Sequence, residues 1–452
     1  MQITSRALAA LAVPFLALGS TVLVAPAHAA PTKPVPSATV TARVQTPTLY
    51  DSEEGGNASG DDPAIWVHPT DSHDSLVLAT AKEGGLRVYD LSGREVQALA
   101  ADAFPNDGRY NNVDIAYGIQ LGDRTVDLAV ASDRYNDTLR FFVIDPAGSR
   151  AATPLTEVTA AGYDWLFVRS QAELEDETTA YGLAIWQPAK GEGAYAVVTQ
   201  EGRTNLAVAE ILPQADGTVA YRVVRELRLP GTFTLPNGTT WTPCEEPGVD
   251  PQFEGVTVDN ANGVLYAAQE DVGLWRIDLE GKKAPVLIDK VTDFGIQRTY
   301  DAAADECLPN PGQPTVENNP FGGNITADAE GVDLYYGQGN TGYVILASQG
   351  SDEFLVYQRQ GNNKLLGTFR VGASSDIDEV NGSDGLAVTN RPVGDFRQGL
   401  LVVHDEPHTG AGVDEDQDPT NFHFVQWSDV AGALDLPLNQ ASLRATNNPA
   451  HR

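Results

Sequence analysis

The feature that most constrains the fold is a triplet of short apolar segments that recurs six times along the chain. The segments are rich in Val, Ile, Leu, Tyr and Trp and are bounded by Gly, Asp, Asn and Pro, which is the pattern of an all-β protein. Successive copies are 51 to 76 residues apart. The first segments of the six copies are Asp62–Trp66, Val113–Tyr117, Tyr181–Ile185, Glu254–Val258, Glu330–Leu334 and Asp384–Val388.

A repeat of this length, built from consecutive strands, predicts a β-propeller, and six copies predict six blades in one domain. The alternative is a β-sandwich or a two-domain all-β protein, but neither accounts for one triplet that returns six times. We therefore predict an all-β, six-bladed propeller over residues 51–435, followed by a C-terminal tail at 436–452.

The N-terminal 30 residues have the features of a secretory signal peptide. Arg6 precedes an apolar run, and Ala27 and Ala29 give a small-residue cleavage site near Ala29. A transmembrane helix is the alternative, but Pro14 and Gly19 interrupt the run. We expect a secreted protein with an extended leader at 31–50 before the propeller.

Charge and cysteine content limit the partners and the compartment. The 62 acidic residues exceed the 29 basic ones, giving a net charge of −33, which disfavours nucleic acid and predicts a soluble monomer that binds neither DNA nor membranes. The two cysteines, Cys244 and Cys307, lie in Pro/Gly-rich stretches. In an oxidising compartment they are predicted to pair and to join two surface insertions, whereas a metal–thiolate site would need more ligands.

The opening residues of the six triplets predict a ring around the propeller axis, since the first strand of each blade lines that axis. Four of them, Asp62, Glu254, Glu330 and Asp384, are carboxylates. Clustered carboxylates raise one another's pKa unless a cation neutralises them, and Ca²⁺ prefers oxygen ligands. Four separate, solvated turn residues are the alternative, but four equivalent positions favour a metal site.

Because consecutive strands are antiparallel, the second strand of each blade ends on the same face. Lys82, Arg134, Arg203, Glu270 and Asp271 occupy such ends. Cations beside a metal-binding ring favour an anion that the metal bridges, and phosphate is the obvious candidate. The segment 375–384 also resembles an acidic calcium loop, although a plain Asx-rich turn is an equal alternative.

Four segments closely resemble the β-propeller (alkaline) phytases: DDPAIWVHP from Asp61, GGLRVYDLSG from Gly84, NNVDIAY from Asn111 and EGVTVDNANGVLYAAQED from Glu254. The similarity runs in the same order from Gly60 to Trp427. It implies a six-bladed propeller with several Ca²⁺ ions on one face. It also implies hydrolysis of myo-inositol hexakisphosphate (phytate) to lower inositol phosphates, of the 3-phytase type, by calcium-activated water attack.

The resemblance also assigns residues to roles. The implied catalytic residues are Asp61, Glu254, Glu270 and Glu330. The implied metal ligands are Asp61, Asp62, Glu254, Glu270, Asp328, Glu330, Asp378, Asp384 and Asp405. The implied phosphate-binding residues are Lys82, Arg134 and Tyr181, with Arg203 as a substitute for a lysine that is replaced by Gln200.

The chain departs from the family pattern at several points. Glu83 stands where a second lysine follows the first, and His404–His408 replaces part of a calcium motif. The two cysteine-bearing insertions lie outside the pattern. His404 and His408 alone are too few to predict a zinc site, and the other histidines are scattered.

Two other functions remain open at the level of sequence. A non-catalytic, calcium-dependent binding module could use the same face of the propeller, because propellers serve both purposes. A lactonase-type calcium hydrolase is a second alternative, although it has no need of the cations.

Overall fold

A computed structural model describes residues 35–51, 58–101, 107–162, 164–188 and 193–439. Six sheets stand around a central axis, which confirms the predicted six-bladed β-propeller. The predicted signal peptide at 1–30 lies outside the described residues.

The strands of the blades follow one another in chain order. Three N-terminal strands are β1 (Ser37–Thr41), β2 (Val44–Gln45) and β3 (Leu49–Tyr50). Blade 1 contains β4 (Pro63–Trp66), β5 (Leu76–Thr80), β6 (Leu86–Tyr89) and β7 (Glu95–Leu99). Blade 2 contains β8 (Tyr110–Leu121), β9 (Arg124–Asp133), β10 (Thr138–Ile144) and β11 (Leu155–Glu157). Blade 3 contains β12 (Ala180–Trp186), β13 (Tyr195–Gln200), β14 (Asn205–Pro213) and β15 (Val219–Arg228).

The second half contains two extra hairpins. The first is β16 (Phe233–Thr234) with β17 (Thr240–Trp241). Blade 4 contains β18 (Phe253–Asp259), β19 (Val264–Gln269), β20 (Gly273–Asp278) and β21 (Val286–Lys290), and the second hairpin is β22 (Arg298–Asp301) with β23 (Glu306–Pro309). Blade 5 contains β24 (Ala329–Tyr336), β25 (Gly342–Ser348), β26 (Glu353–Gln358) and β27 (Leu365–Gly372). Blade 6 contains β28 (Leu386–Thr389), β29 (Leu400–Asp405) and β30 (Pro419–Gln426).

Helices are short. The α-helices are α1 (Gln171–Glu175) and α2 (Trp427–Ala433). Single turns of 3-10 helix cover Ser72–Asp74, Gly148–Arg150, Val316–Asn318, Gln349–Ser351 and Glu415–Gln417. No helix in the described part of the chain is both long and apolar enough to cross a membrane.

The first strand of each blade is innermost, as the sequence predicts. Strands β4, β8, β12, β18, β24 and β28 each end the strand order of their sheets and contact the innermost strands of the neighbouring blades, which closes the ring. Hydrophobic clusters fill the spaces between blades. Val88 and Phe142, for example, belong to one cluster of blades 1 and 2, and Ile345 and Val403 to one of blades 5 and 6.

The predicted leader at 31–50 is in part integral to the propeller. Strand β1 pairs in parallel with β27 at the outer edge of blade 5, while β2 and β3 both pair with β30 of blade 6. Within the described residues the C-terminal part of the chain gives blade 6 three strands, and the edge strand β30 pairs with strands from the N-terminal part. The predicted tail also begins within the fold, because the backbone oxygen of Pro437 accepts a hydrogen bond from Tyr343 at 2.8 Å.

Glycines allow the innermost strands to approach one another closely. In four of the six triplets a glycine follows the opening residue. Backbone atoms of the next blade occupy the space that a Cβ atom of this glycine would need. A Cβ atom on Gly182 would lie 1.8 Å from the carbonyl oxygen of Glu254, and one on Gly255 would lie 2.2 Å from that of Glu330. A Cβ atom on Gly331 would lie 2.6 Å from the carbonyl oxygen of Asp384, and one on Gly385 would lie 2.5 Å from that of Asp61. The same glycines therefore place the residues of the predicted ring in neighbouring blades side by side.

The predicted disulfide between Cys244 and Cys307 is present. It joins the segment after β17 to β23, two insertions 63 residues apart in sequence. The first insertion also packs on blade 4 through aromatic rings, with Phe233 and Trp275 centred 6.3 Å apart. The first insertion is therefore fixed against the fold, and the disulfide ties the largely exposed second insertion to it.

We expect Gly182→Ala to destabilise the protein, because the new methyl group would collide with a backbone carbonyl that cannot rotate away. The free energy of unfolding, measured from urea denaturation, should fall by at least about 2 kcal/mol. Gly432→Ala is the matched control, since Gly432 lies in α2 with open space around it. That change should stabilise the protein by about 0.5–1 kcal/mol. Equal effects of the two changes would contradict the close approach of the strands.

Candidate active site

Three glutamates converge at the centre of one face. Glu254 on β18 and Glu330 on β24 lie on the innermost strands of adjacent blades, and Glu270 follows directly after β19. One carboxylate oxygen from each lies within 4.8 Å of the others. Glu254 and Glu330 are only 7% and 5% exposed. The structure thus brings together three of the four residues that the sequence predicts to be catalytic.

Three buried carboxylate oxygens, two of these glutamates and one of Asp61, have no hydrogen-bond partner among the described residues. They are Glu270 Oε1, Glu330 Oε2 and Asp61 Oδ1. Burying a polar oxygen without a hydrogen bond costs on the order of several kcal/mol of free energy. A set of clustered oxygen donors with free lone pairs suits a hard divalent cation such as Ca²⁺. The residues present therefore fit the metal that the resemblance implies.

Neighbouring amides bind three other carboxylate oxygens of the site. Asn111 donates a hydrogen bond to Glu254 Oε1 at 2.8 Å, and Gln252 donates one to Glu270 Oε2 at 2.9 Å. Gln349 donates a third to Asp384 Oδ1 at 2.5 Å. Sequence reasoning missed these three amides, although Asn111 opens the NNVDIAY segment.

Lys82 joins two carboxylates of the ring. Its Nζ lies 3.9 Å from Asp61 Oδ2 and 3.8 Å from Asp384 Oδ2. Burial acts to lower the pKa of Lys82, but the charges of Asp61 and Asp384 outweigh it and hold that pKa above its ordinary value. Lys82 is therefore a permanent cation at the edge of the acidic cluster.

The acidic groups would hold protons in the absence of a cation. Burial, followed by repulsion from Glu254, raises the pKa of Asp61, Glu270 and Glu330. Burial raises the pKa of Asp384 to about 7, although Lys82 opposes the shift. The cluster can therefore be fully ionised near neutral pH only if a cation replaces these protons.

Asp62 occupies a different position from Asp61. Its Oδ2 accepts a hydrogen bond from the backbone N–H of Val113 at 3.2 Å, and it lines an axial channel of about 120 Å³. Asp114 and Asp333 also line the channel and accept backbone hydrogen bonds at 2.6 Å from Ile185 and Val388. These carboxylates link each blade to the next one around the axis.

Arg134 and Tyr181 form a pair near the acidic cluster. The Arg134 guanidinium lies 5.4 Å from the centre of the Tyr181 ring and is ion-paired with Glu201. Burial, with the nearby carboxylate charge of Glu254, raises the pKa of the Tyr181 hydroxyl, which therefore stays protonated and able to donate a hydrogen bond. The two side chains can present hydrogen-bond donors to an anion.

Arg203 and Gln200 have local roles in the structure. Arg203 Nη1 donates to the backbone oxygens of Gly202 and Gly248, at 2.6 Å and 2.9 Å. Gln200 is buried, and its side chain bonds to Thr178 and Asn205. Arg203 as a phosphate-binding residue stays a prediction.

The charge of Glu83 is compensated locally. Arg109 donates a hydrogen bond to its Oε1 at 2.5 Å, and Tyr135 donates another at 2.7 Å. Burial acts to raise the pKa of Glu83, but these two partners lower it below its ordinary value. The substitution of glutamate for lysine therefore adds an ion pair rather than a free negative charge.

The first disulfide-bonded insertion adds an acidic residue that sequence reasoning missed. Glu245, next to Cys244, lies near Asp271 and Asp328. Burial raises the pKa of Glu245 to about 7, and burial also raises those of Asp271 and Asp328. Asp328 directly precedes β24 and so connects this acidic group with the glutamates at the centre.

Asp378 and Asp405, the other predicted metal ligands, lie together in a separate cluster. Their carboxylates group with His408 and His423, and all four ligand atoms lie within 4.8 Å of one another. A third group joins Asp384 to His404 and Glu406, with His404 Nδ1 3.7 Å from Asp384 Oδ2. Sequence reasoning set His404 and His408 aside as too few for a zinc site and missed His423, which carries no local signal because it lies within a buried strand.

Comparison with known proteins gives one family. A family model described as Phytase matches residues 5–234 and 300–444. A 3-phytase of Bacillus subtilis (strain 168) is 28% identical over 398 residues, which cover 87% of this chain and 85% of the relative. The family match passes over residues 235–299, which contain Cys244 as well as Glu254 and Glu270.

Solved structures with lower similarity include a chain of the mitotic checkpoint complex and the Dos1 propeller. The first is 10% identical, with a TM-score of 0.38, over 90% of this chain and 90% of that chain. The second is 11% identical, with a TM-score of 0.34, over 80% of this chain and 68% of that chain.

The six-bladed architecture, the converging glutamates and the match of the family model to more than half of the residues agree with one another. The chain belongs to the phytase family of phosphoric monoester hydrolases.

Proposed function

We propose that this protein is a secreted, calcium-dependent phytase that hydrolyses myo-inositol hexakisphosphate to lower inositol phosphates and phosphate. The observation that carries the proposal is the cluster of Glu254, Glu270 and Glu330, with unpaired oxygens, in a member of the phytase family. Cations and carboxylates at one face suit a substrate whose phosphates bind both metal and protein.

Calcium bound to these oxygens would neutralise phosphoryl charge and lower the pKa of an attacking water. In this proposal Asp61, Glu254, Glu270 and Glu330 supply the central ligands. Asp62, Asp328 and Asp384 are further candidate ligands, and several ions would be needed to use them all.

The protein's own donors would position the substrate. Lys82, held between Asp61 and Asp384, would attract a phosphate to the edge of the cluster. Arg134 and the protonated Tyr181 would donate hydrogen bonds to phosphate oxygens and fix their orientation. Arg203 would be an outer contact to phosphate in this proposal.

Secretion forms part of the proposal. The disulfide between Cys244 and Cys307 supports an oxidising compartment, and the first 30 residues have the composition of a signal peptide cleaved near Ala29. The mature protein would be a monomeric propeller.

The direct test is release of inorganic phosphate from myo-inositol hexakisphosphate by the purified protein, first with excess calcium and then after chelation. We expect release with calcium and loss of at least about 100-fold after chelation. A folded protein that releases no phosphate under either condition would contradict the proposal and favour a binding module. Chelation alone cannot decide, because a lactonase-type hydrolase would also need calcium.

We expect Glu270→Gln to lower kcat/KM for phosphate release by at least about 100-fold at saturating calcium, because a neutral amide cannot neutralise the cation. Glu226→Gln is the matched control. Glu226 is 58% exposed and pairs only with the exposed Arg169 among the described residues, so its replacement should leave kcat/KM unchanged. Full turnover by Glu270→Gln would remove this residue from the proposed site.

The calcium-free protein should lose stability as the pH rises. Burial raises the pKa of Asp384 to about 7 and also raises those of Glu270 and Glu330, so the folded state holds protons that the unfolded chain releases above about pH 4. Their stabilising contribution is complete below that pH and is lost as the pH rises through the folded pKa values.

In a chelator, thermal unfolding should therefore show a lower Tm at pH 8 than at pH 6. Excess calcium should remove this difference or reverse it, since the cation replaces the protons. A Tm that rises from pH 6 to pH 8 in the chelator would contradict the assignment of raised pKa values to the cluster.

A further inference from the structure

A second, chemically different cluster lies in blade 6. Asp405 ends β29 and His423 lies on the adjacent strand β30, on the same face of the sheet. His408 comes from the loop after β29, and Asp378 from the loop that precedes β28. Asp405 and His423 are fully buried, and His408 is 3% exposed.

Three distances between ligand atoms match the edges of a tetrahedron around one metal ion, and a fourth, shorter one ends on the other oxygen of Asp378. His408 Nδ1 lies 3.0 Å from Asp378 Oδ2 and 3.4 Å from Asp405 Oδ2. His423 Nε2 lies 3.5 Å from Asp378 Oδ1 and 3.6 Å from Asp405 Oδ2. Metal–ligand bonds of about 2.0–2.2 Å in tetrahedral geometry give edges of roughly 3.3–3.6 Å.

Each carboxylate has one oxygen fixed and one left over. Asp378 Oδ2 accepts hydrogen bonds from the backbone N–H and hydroxyl of Thr409, at 2.6 Å and 3.0 Å, and Asp405 Oδ1 accepts one from the Asn381 N–H at 2.9 Å. Asp378 Oδ1 and Asp405 Oδ2 have no hydrogen-bond partner in the described part of the chain, and neither has His423 Nε2. Partners that orient a carboxylate while leaving one oxygen free are typical of metal ligands.

A metal-free network of histidines and aspartates explains the cluster less well. Only the contact between His408 and Asp378 reaches good hydrogen-bond distance, at 3.0 Å. The other three separations, 3.4 to 3.6 Å, leave buried nitrogen and oxygen atoms unpaired. A divalent cation would satisfy these atoms and balance the two carboxylate charges.

We propose that Asp378, Asp405, His408 and His423 bind one divalent transition-metal ion of the Zn²⁺ class. Two imidazole nitrogens disfavour Ca²⁺, which takes oxygen ligands, and favour a borderline metal. Four protein ligands, of which three are buried and only Asp378 is partly exposed, fit a structural site rather than a catalytic one. The family resemblance implies that Asp378 and Asp405 bind calcium, whereas in this proposal they bind the transition-metal ion instead.

The position of the site gives it a role in closing the propeller. Strand β30, which carries His423, pairs with the N-terminal strands β2 and β3, so it lies where the two ends of the chain meet. The metal would join this strand to β29 and to the loop before β28. It would therefore stabilise blade 6, which depends on a strand from the other end of the chain.

The test uses the whole protein, stripped of metals and then held in excess calcium so that oxygen-only sites are filled. Titration with Co²⁺ should give the visible absorption bands of four-coordinate cobalt and saturate at one ion per chain, and Zn²⁺ should abolish the bands. Zn²⁺ at about 100 times its Kd should raise Tm by about 4 °C. Neither readout depends on phosphate release, so this metal-site proposal can hold even if the proposed enzymatic function fails.

His408→Gln and His423→Gln should each weaken Co²⁺ binding by at least about 100-fold and remove the effect of Zn²⁺ on Tm. His73→Gln, which lies outside the cluster on a 3-10 turn of blade 1, is the matched control and should bind Co²⁺ normally. Asp378→Asn, in a partly exposed loop position, provides a third variant if the buried His423→Gln does not fold. Absence of the cobalt bands, their loss to calcium alone, or unchanged binding by the histidine variants that fold would overturn the proposal.

Discussion

The close approach of the innermost strands is the constraint on which the rest of the structure depends. At Gly182, Gly255, Gly331 and Gly385 the backbone of the next blade occupies the place of a side chain. Because the preceding residue in each triplet is Tyr181, Glu254, Glu330 or Asp384, the same contacts that close the propeller also crowd carboxylates together. The spacing of the innermost strands therefore sets both the packing between blades and the repulsion between the carboxylates. A wider ring would reduce the repulsion but would also lose the packing.

The crowding makes the centre of the propeller dependent on a counter-charge. Lys82 supplies one positive charge between Asp61 and Asp384, which is less than the acidic cluster requires. Protons can supply the rest at low pH, and a cation can do so near neutral pH. A site of this kind couples metal binding to stability, and the proposed enzymatic function would use the same ions.

Two departures from the family pattern show how the chain accommodates changes around this site. Glu83 would add a negative charge beside Lys82, but Arg109 and Tyr135 bind it, so the local charge is balanced. The first disulfide-bonded insertion places Glu245 against Asp271. The insertion therefore extends the acidic surface beyond the central ring instead of only covering the fold.

Features that repeat or that pair could be predicted from the amino-acid sequence alone. The six triplets specified the blades, the opening residues specified Glu254 and Glu330 at the axis, and the two cysteines could pair only with each other. Only the tertiary structure decided which single residues meet. It joined His423 to Asp378, 45 positions away in the sequence, and used residues 37–50 as strands of the last blades rather than as a leader. The physical reason is that repeats record local strand formation, which each segment carries in its own composition, whereas ring closure and metal clusters depend on contacts between distant segments that no local pattern encodes.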